Sequence, residues 1–365
     1  MKIAILGFTK LKYMTYMHFY LNKIDTSKDE VHLIYWQRDK NPDVSLPIGV
    51  FGHAFDYTMS DAVPLRKKIP GILKYGKFAK KKIKEITPDF LIVLHSTTGI
   101  SVYKLLRGKY KNKYIFDFRD VTYEKYSFYR KRVARIIEGS ALSFTSSDGF
   151  RKFLPETEKL LTSHNISNIE FAEQIRSLPK REKHTPIRIA FWGLIRNKAV
   201  NENLISRLGG DPRFELHYYG RAQGAMLDML ELNSKKYDNV FFHGEYSPTD
   251  RLEMAKNTDI IHNLYDTFNK TSHIAMGNKY YDGVMFGLPQ LCTVGSQMGK
   301  LVTMFGTGLE CDPSDENFAD EVYKYYTELD TDKLCFACDK ELKRVLTEVK
   351  IGEEKIKEVL ENAKT

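Results

Sequence analysis

The 365-residue chain has no run of about eighteen or more apolar residues, so a membrane-spanning helix is not expected. Cysteine is scarce. Four cysteines do not make the disulfide framework of a small secreted domain, and they suit a reducing compartment. Cys335 and Cys338 form one CxxC in "LCFAC", but no second CxxC or HxxxH stands near to complete four zinc ligands. The two read as small apolar positions on a C-terminal helix, and no metal is expected. The GxGxxG fingerprint is missing, which disfavours a nicotinamide site. Missing too are G-x-S-x-G, HExxH and a Walker lysine loop, which removes several hydrolase and phosphotransferase readings. The opening "MKIAILGF" reads as a short buried strand, and no secretion signal is expected.

Positive charge is present in excess, and it is concentrated. The formal net charge is +9, from 56 basic and 47 acidic residues. Arg66 to Lys84, "RKKIPGILKYGKFAKKKIK", holds nine Lys or Arg and no acid, which equals the whole excess. Ile72, Leu73, Tyr75, Phe78 and Ile83 are interleaved with the lysines. The stretch suits a basic amphipathic helix on an anionic membrane surface, and equally a solvated helix face. A nucleic-acid partner is not expected, because no recognisable reading module accompanies the helix.

Short apolar runs alternate with longer helical patterns. "KIAILG", "EVHLIYW", "DFLIVLHS", "KYIFDFRD" and "ALSFTSS" read as strands, with "KYMTYMHFYLNKI" and "RKRVARIIEG" among the helices. Residues 166 to about 186 break the rhythm with a polar, basic, proline-containing linker. The alternation then restarts with "IRIAFWG", "FELHYYG", "NVFFHG", "DIIHNLY" and "LPQLCTV". The pattern predicts two doubly wound α/β domains in tandem, over residues 1–180 and 181–365, with the last helix free to pack back on the first domain.

Ligands of open parallel sheets bind beyond the carboxyl ends of the strands. That rule selects Gly7, His95-Ser96, Asp117 to Asp120, Gly193 to Lys198, Gly220, Gly244 to Tyr246 and the loop at 267–279. "FWGLIRNK" places Arg196 and Lys198 just past Gly193, either as solvated loop cations or as counter-charges for a diphosphate. In "NKYYDGVMFGLPQLC", Lys279 and Asp282 lie three apart on a helix. They read either as a surface ion pair or as ligand groups, the carboxylate suiting a ribose diol. Gly287 suits the residue just past the helix end, and Pro289 prevents its continuation. Asp120 and His95 stand at neighbouring strand ends, able to hold sugar hydroxyls or assist proton transfer. Arg119 reads at least as well as a buried brace to an aspartate. His18, His32, His53 and His217 carry no partner signal and read as structural.

Taken in order, these segments resemble the GT-B glycosyltransferases, especially the retaining, family 4-like bacterial group that builds capsule, O-antigen and other surface polysaccharides. "NKYYDGVMFGLPQLC" resembles that group's "NKxxEYxxxGxPVI" element, and "FWGLIRNK" its donor-phosphate loop. "NVFFHGEYSPTDRLEMAKNTDIIHNLY", "YIFDFRD" and "TSHN" resemble further landmarks. The resemblance implies a GT-B architecture of two Rossmann-like domains facing a cleft. It implies Asp282 on the donor ribose, where the family usually has Glu, and Lys279 beside it. Arg196 and Lys198 would meet the diphosphate at Gly193, Gly244 to Tyr246 would approach the base, and His95 and Asp120 would lie near the transferred sugar or acceptor. Ile274 stands where many members carry a first acid, so Ser272 and His273 would contact donor phosphate or sugar instead.

The implied activity is transfer of a sugar from a nucleotide-diphosphate donor, expected to be a UDP-sugar, to a lipid-linked or oligosaccharide acceptor, without a bound metal. The implied location is cytoplasmic, peripheral on the inner membrane leaflet through Arg66 to Lys84. A nucleotide-sugar epimerase or hydrolase on the same fold, or a catalytically degenerate binding subunit, are the alternatives.

Overall fold

The computed structural model describes residues 1–41, 43–59, 64–166, 169, 171, 174, 183–266 and 271–364. The chain divides into two compact units, Met1–His164 with Thr347–Thr365, and Asn165–Leu346. Residue 180, where the sequence suggests a boundary, lies outside the described residues, as do residues 267–270 of the candidate loop.

The first unit is built on strands β1 (Lys2–Leu6), β2 (Glu30–Gln37), β3 (Val50–Asp56), β4 (Phe90–Leu94), β5 (Tyr114–Phe118), β6 (Leu142–Thr145) and β7 (Leu160–Thr162). They form one sheet in the order β3-β2-β1-β4-β5-β6-β7, parallel throughout. β4 and β5 are buried along their whole length, as the near-continuous apolar runs of a doubly covered parallel sheet require. The core joins these strands to Leu11, Met14, Met17 and Tyr20, and to Ile356 and Leu360 of the C-terminal helix.

Two features of this unit depart from the sequence reading. The helix expected over "KYMTYMHFYLNKI" is instead two 3₁₀ turns, Leu11–Tyr13 and Thr15–Met17, followed by a single α-helical turn, α1 (His18–Leu21). Leu11, Met14, Met17 and Tyr20 recur every three positions, the 3₁₀ period, and Leu21 and Ile24 are buried after them. The strand β3 was not anticipated. It is an edge strand, largely exposed, with Gly52 and no clean alternation.

The basic segment forms the helix that the sequence suggests, α2 (Leu65–Ile86). Tyr75, Ala79, Ile83 and Ile86 turn into the core, and the Tyr75 hydroxyl donates to the Gly7 carbonyl at 2.5 Å. Of the interleaved apolar residues only Leu73 is well exposed, while Arg66, Lys67, Lys74, Lys77, Lys80, Lys81 and Lys84 face out. Most of the apolar stripe is therefore committed to the protein's own core, and the outer face is mainly cationic, with Ile69, Leu73 and Glu85 also exposed. Beside α2 packs α3 (Ser96–Ser101), with α4 (Tyr103–Arg107) and α5 (Ser127–Glu138) packed against α3 and each other.

The second unit carries β8 (Ile187–Trp192), β9 (Phe214–Tyr219), β10 (Val240–Gly244), β11 (Ile260–Asn263), β12 (Gln290–Thr293) and β13 (Gly308–Cys311), in the order β10-β9-β8-β11-β12-β13. Its pairings are also parallel. Its helices are α6 (Lys198–Leu208), α7 (Ala225–Lys236), α8 (Arg251–Lys256), α9 (Asn278–Phe286), α10 (Gln297–Phe305) and α11 (Phe318–Glu328). The last helix, α12 (Thr331–Asn362), contributes its first part to this unit and its end to the first. On α12, Cys338 is buried and Cys335 exposed, and neither forms a disulfide. No described helix is long and apolar enough to cross a membrane.

Candidate functional site

The carboxyl end of β8 opens into a cavity of about 300 Å³. Two glycines shape its rim. Gly193 leaves the strand with φ +122°, and its N–H donates to the Tyr219 carbonyl at 3.0 Å. Gly220, one strand over, lies so close that a Cβ there would sit 1.8 Å from the Gly193 oxygen. No other residue fits such an approach of two backbones.

Beyond Gly193 the chain runs through Arg196 and Asn197 into α6. This loop is held from below. The Leu264 N–H donates to His262 Nδ1 at 3.2 Å, which leaves the imidazole proton on Nε2, facing Asn201 Oδ1 at 3.0 Å. The Asn201 amide then donates to the carbonyls of Arg196 at 2.8 Å and Asn197 at 3.1 Å. Burial, aided by the Lys279 charge, pushes the His262 pKa down to about 3, so the support stays neutral. Arg196 is exposed and lines the cavity, with no acidic partner among the described residues.

The helix α9 supplies the opposite wall. Its C-terminus is made as the sequence suggests. Gly287 takes φ +63°, its N–H and that of Leu288 return to the Gly283 carbonyl, and the strand after Pro289 follows. Lys279 and Asp282 do not form the surface ion pair that their spacing allows. Both are buried, at 6% and 2% exposure. The Lys279 ammonium donates to the Tyr265 hydroxyl at 2.9 Å and lies 3.9 Å from the centre of the Phe191 ring. A cation held by a phenol and a π-face keeps its charge uncompensated. Asp282 Oδ2 accepts from the Trp192 indole N–H at 2.7 Å, and Oδ1 stands 3.6 Å from the Arg251 guanidinium. Burial raises the Asp282 pKa, against the opposing pull of Arg251, the indole and Lys279.

Tyr246 and Tyr265 complete an aromatic rim, and burial raises the Tyr246 phenol. The charged lining residues are Arg196, Arg251, Lys279 and Asp282, three positive and one negative. Such a cavity favours a dianion, with one carboxylate left to accept hydroxyl hydrogens.

The structure thus brings together Gly193, Arg196, Tyr246, Lys279 and Asp282 of the residues selected from sequence. It leaves others apart. Lys198 is the first residue of α6 and turns to Glu202 one turn on, away from the cavity lining. Gly244 ends the edge strand β10, and its carbonyl accepts from Gly220 N–H. Ser272 and His273 form a 3₁₀ turn outside the lining, with His273 beside Gly295. Sequence reasoning missed Trp192, Arg251 and Tyr265. Trp192 reads as strand core, and Arg251 as one more charge at a helix start.

His95 and Asp120 belong to the first unit. His95 caps α3 in a backbone conformation rare for a non-glycine residue, φ +80°, the kind of strain found at functional positions. Its Nδ1 accepts the Thr97 N–H at 3.1 Å, and its ring stacks on Phe8 at 5.9 Å. Burial and Arg38 lower its pKa, only partly offset by Asp120 and Asp117. The neutral ring therefore carries its proton on Nε2 and offers a donor rather than a base. Asp120 is exposed. Arg119 is the expected brace, 2.8 Å from Asp117 and 2.8 Å from the Ser163 hydroxyl.

No family model and no curated protein sequence matches the chain. Solved structures do. Sucrose-phosphate synthase from Thermosynechococcus elongatus superposes with a TM-score of 0.70 at 13% identity, covering 96% of this chain and 97% of that one. The chain has the GT-B fold. A glycosyltransferase from Rickettsia africae gives 0.68 at 13% identity, with 99% of both chains covered. HepE of Anabaena in complex with UDP gives 0.66 at 13% identity, with 99% of this chain and 100% of that one covered. In GT-B terms, the cavity stands at the carboxyl edge of the second Rossmann-like sheet.

Proposed function

We propose that the protein is a glycosyltransferase of the retaining, family 4-like surface-polysaccharide type. It moves a sugar from a nucleotide-diphosphate donor, read as a UDP-sugar, to a lipid-linked or oligosaccharide acceptor. The observation that carries this reading is a buried carboxylate, Asp282, in a cavity with three cations at the end of β8. Asp282 would accept the ribose hydroxyls through Oδ1, while Trp192 fixes Oδ2. Arg196 and Lys279 would meet the diphosphate, and Arg251 would hold Asp282 and the nearer phosphate. As the bond from sugar to phosphate breaks, negative charge grows on the leaving diphosphate, and fixed cations favour that state over the ground state. Tyr246 at the rim would approach the base. In the first unit, His95 Nε2–H would donate to a sugar or acceptor hydroxyl, beside the Asp120 carboxylate. HepE, solved with UDP, with UDP and glucose, and with UDP-glucose, supports the donor class.

The outer face of α2 adds an electrostatic hold on an anionic inner leaflet, near lipid-linked acceptors. With its apolar stripe buried, attraction rests on charge at about 1 kcal/mol per lysine or arginine near the surface, and it weakens as salt rises. The activity test is release of nucleoside diphosphate from UDP-sugars with and without an acceptor preparation. Release that requires acceptor supports transfer. Release that ignores acceptor indicates hydrolysis, and tight binding without turnover indicates a binding subunit.

A further inference from the structure

The same side-chain arrangement occurs at the edge of both sheets. In the first unit, Glu30 and His32 on β2 face Phe51 and His53 on the edge strand β3. In the second, Glu215 and His217 on β9 face Phe241 and His243 on the edge strand β10. His32 Nδ1 lies 3.0 Å from His53 Nε2, and His217 Nδ1 lies 3.0 Å from His243 Nε2. The other nitrogen of each inner histidine meets a carboxylate, His32 to Glu30 at 2.7 Å and His217 to Glu215 at 3.2 Å. A phenylalanine stacks on each inner ring, Phe51 at 5.3 Å and Phe241 at 4.8 Å. The four histidines thus have partners, and the structural role read for His32, His53 and His217 takes the form of these pairs.

The geometry limits the protons each pair can hold. A carboxylate only accepts, so the inner histidine carries a proton on Nε2. When neutral, its Nδ1 is bare and accepts Nε2–H of the outer histidine. One more proton can be added, at the outer Nδ1. A fourth would set two N–H groups against each other at 3.0 Å. The opened pair has no such limit and holds four protons below about pH 6.5. Opening an edge strand therefore takes up at least one proton per pair in mild acid.

We propose that each unit's edge strand is fastened by an acid-sensitive His–His clip. The charged surroundings differ. Around the first pair, Lys2 lies 3.3 Å from Glu30, and Lys82 and Glu85 of α2 act on His53 with opposite signs. Around the second, Arg188 opposes and Glu215 and Asp259 favour charge on His217. Burial lowers His53, His217 and His243, in keeping with a closed pair that resists protonation. For depressed histidines the stabilisation is complete above the unfolded pKa and is lost as pH falls through the folded value.

Hydrogen exchange of the intact protein, corrected for intrinsic rates, tests the clip. Protection of Val50–Asp56 and Val240–Gly244 should fall at least about tenfold per pH unit below about 6.5, with Tyr114–Phe118 unaffected. His53→Gln should abolish the pH dependence in β3 alone, because an amide can turn to offer either N–H or oxygen. His243→Gln should do the same in β10 alone. Equal acid loss in variant and wild type, or none in wild type, overturns the proposal. NMR titration of the wild-type imidazoles gives a variant-free check. Two protons taken up independently near pH 6.5 while the edge amides stay protected would also overturn it.

Discussion

Replacing Asp282 by Asn separates binding from stability, because the account assigns the carboxylate opposite effects on the two. The side chain is 2% exposed, and burial raises its pKa above the ordinary aspartate value. A carboxyl whose folded pKa is raised binds protons more readily folded than unfolded. It therefore subtracts stability at neutral pH and returns it as pH falls through the folded pKa. Asn keeps an oxygen for the Trp192 indole N–H and removes the buried charge. Thermal stability of Asp282→Asn at neutral pH should equal or exceed that of wild type. Asp282→Ala should instead lose about 1–3 kcal/mol, the cost of an orphaned indole donor.

Binding should move the other way. A hydrogen bond to a charged group contributes about 1.5–3 kcal/mol, so Asn should weaken UDP about ten- to a hundredfold. Uridine should weaken by the same factor, since the ribose is common to both. Calorimetric titration of UDP and uridine against both proteins reads each factor. Unchanged UDP affinity in Asp282→Asn, or a melting temperature well below wild type, would refute the reasoning.

Arg196→Ala should weaken UDP but leave uridine unchanged, and flatten the salt dependence of UDP binding in calorimetry. Arg119→Ala breaks a buried pair and strands Asp117; chemical denaturation should show a loss of about 3–5 kcal/mol. Replacing Lys80, Lys81, Lys82 and Lys84 by Gln should reduce co-sedimentation with anionic vesicles at low salt, and no change would remove the membrane reading. The His53→Gln and His243→Gln variants should each make only their own edge strand insensitive to mild acid.

Much of the architecture is legible in the sequence because buried parallel strands are nearly continuous apolar runs. "FLIVL" and "YIFDF" are such runs, and both are central strands. "VFGHAFD" is not, because an edge strand has one neighbour and mixed exposure, so its sequence obeys no single period. The segment after β1 misleads for a different reason: Leu11, Met14, Met17 and Tyr20 repeat every third position, and with Leu21 and Ile24 buried too the pattern reads as a loose α-helix. In the site, Gly193 and Arg196 follow from strand-end logic, and Asp282 from the resemblance of its helix to the GT-B element. Trp192, Arg251 and Tyr265 do not, because they converge from β8, α8 and the loop after β11 only when the sheet is assembled. Lys279 was selected, but its burial over Phe191 depends on that same assembly. The histidine clips were visible as two E-x-H and two F-x-H strings, yet nothing in one sequence says that such strings lie side by side.

The cavity beyond β8 is proposed to hold a nucleoside diphosphate. A crystal structure of the protein with UDP tests it most directly. Ribose hydroxyls should lie within hydrogen-bonding distance of Asp282 Oδ1, and diphosphate oxygens on Arg196 and Lys279. UDP bound with its ribose away from Asp282, or an empty cavity at saturating UDP, would contradict it.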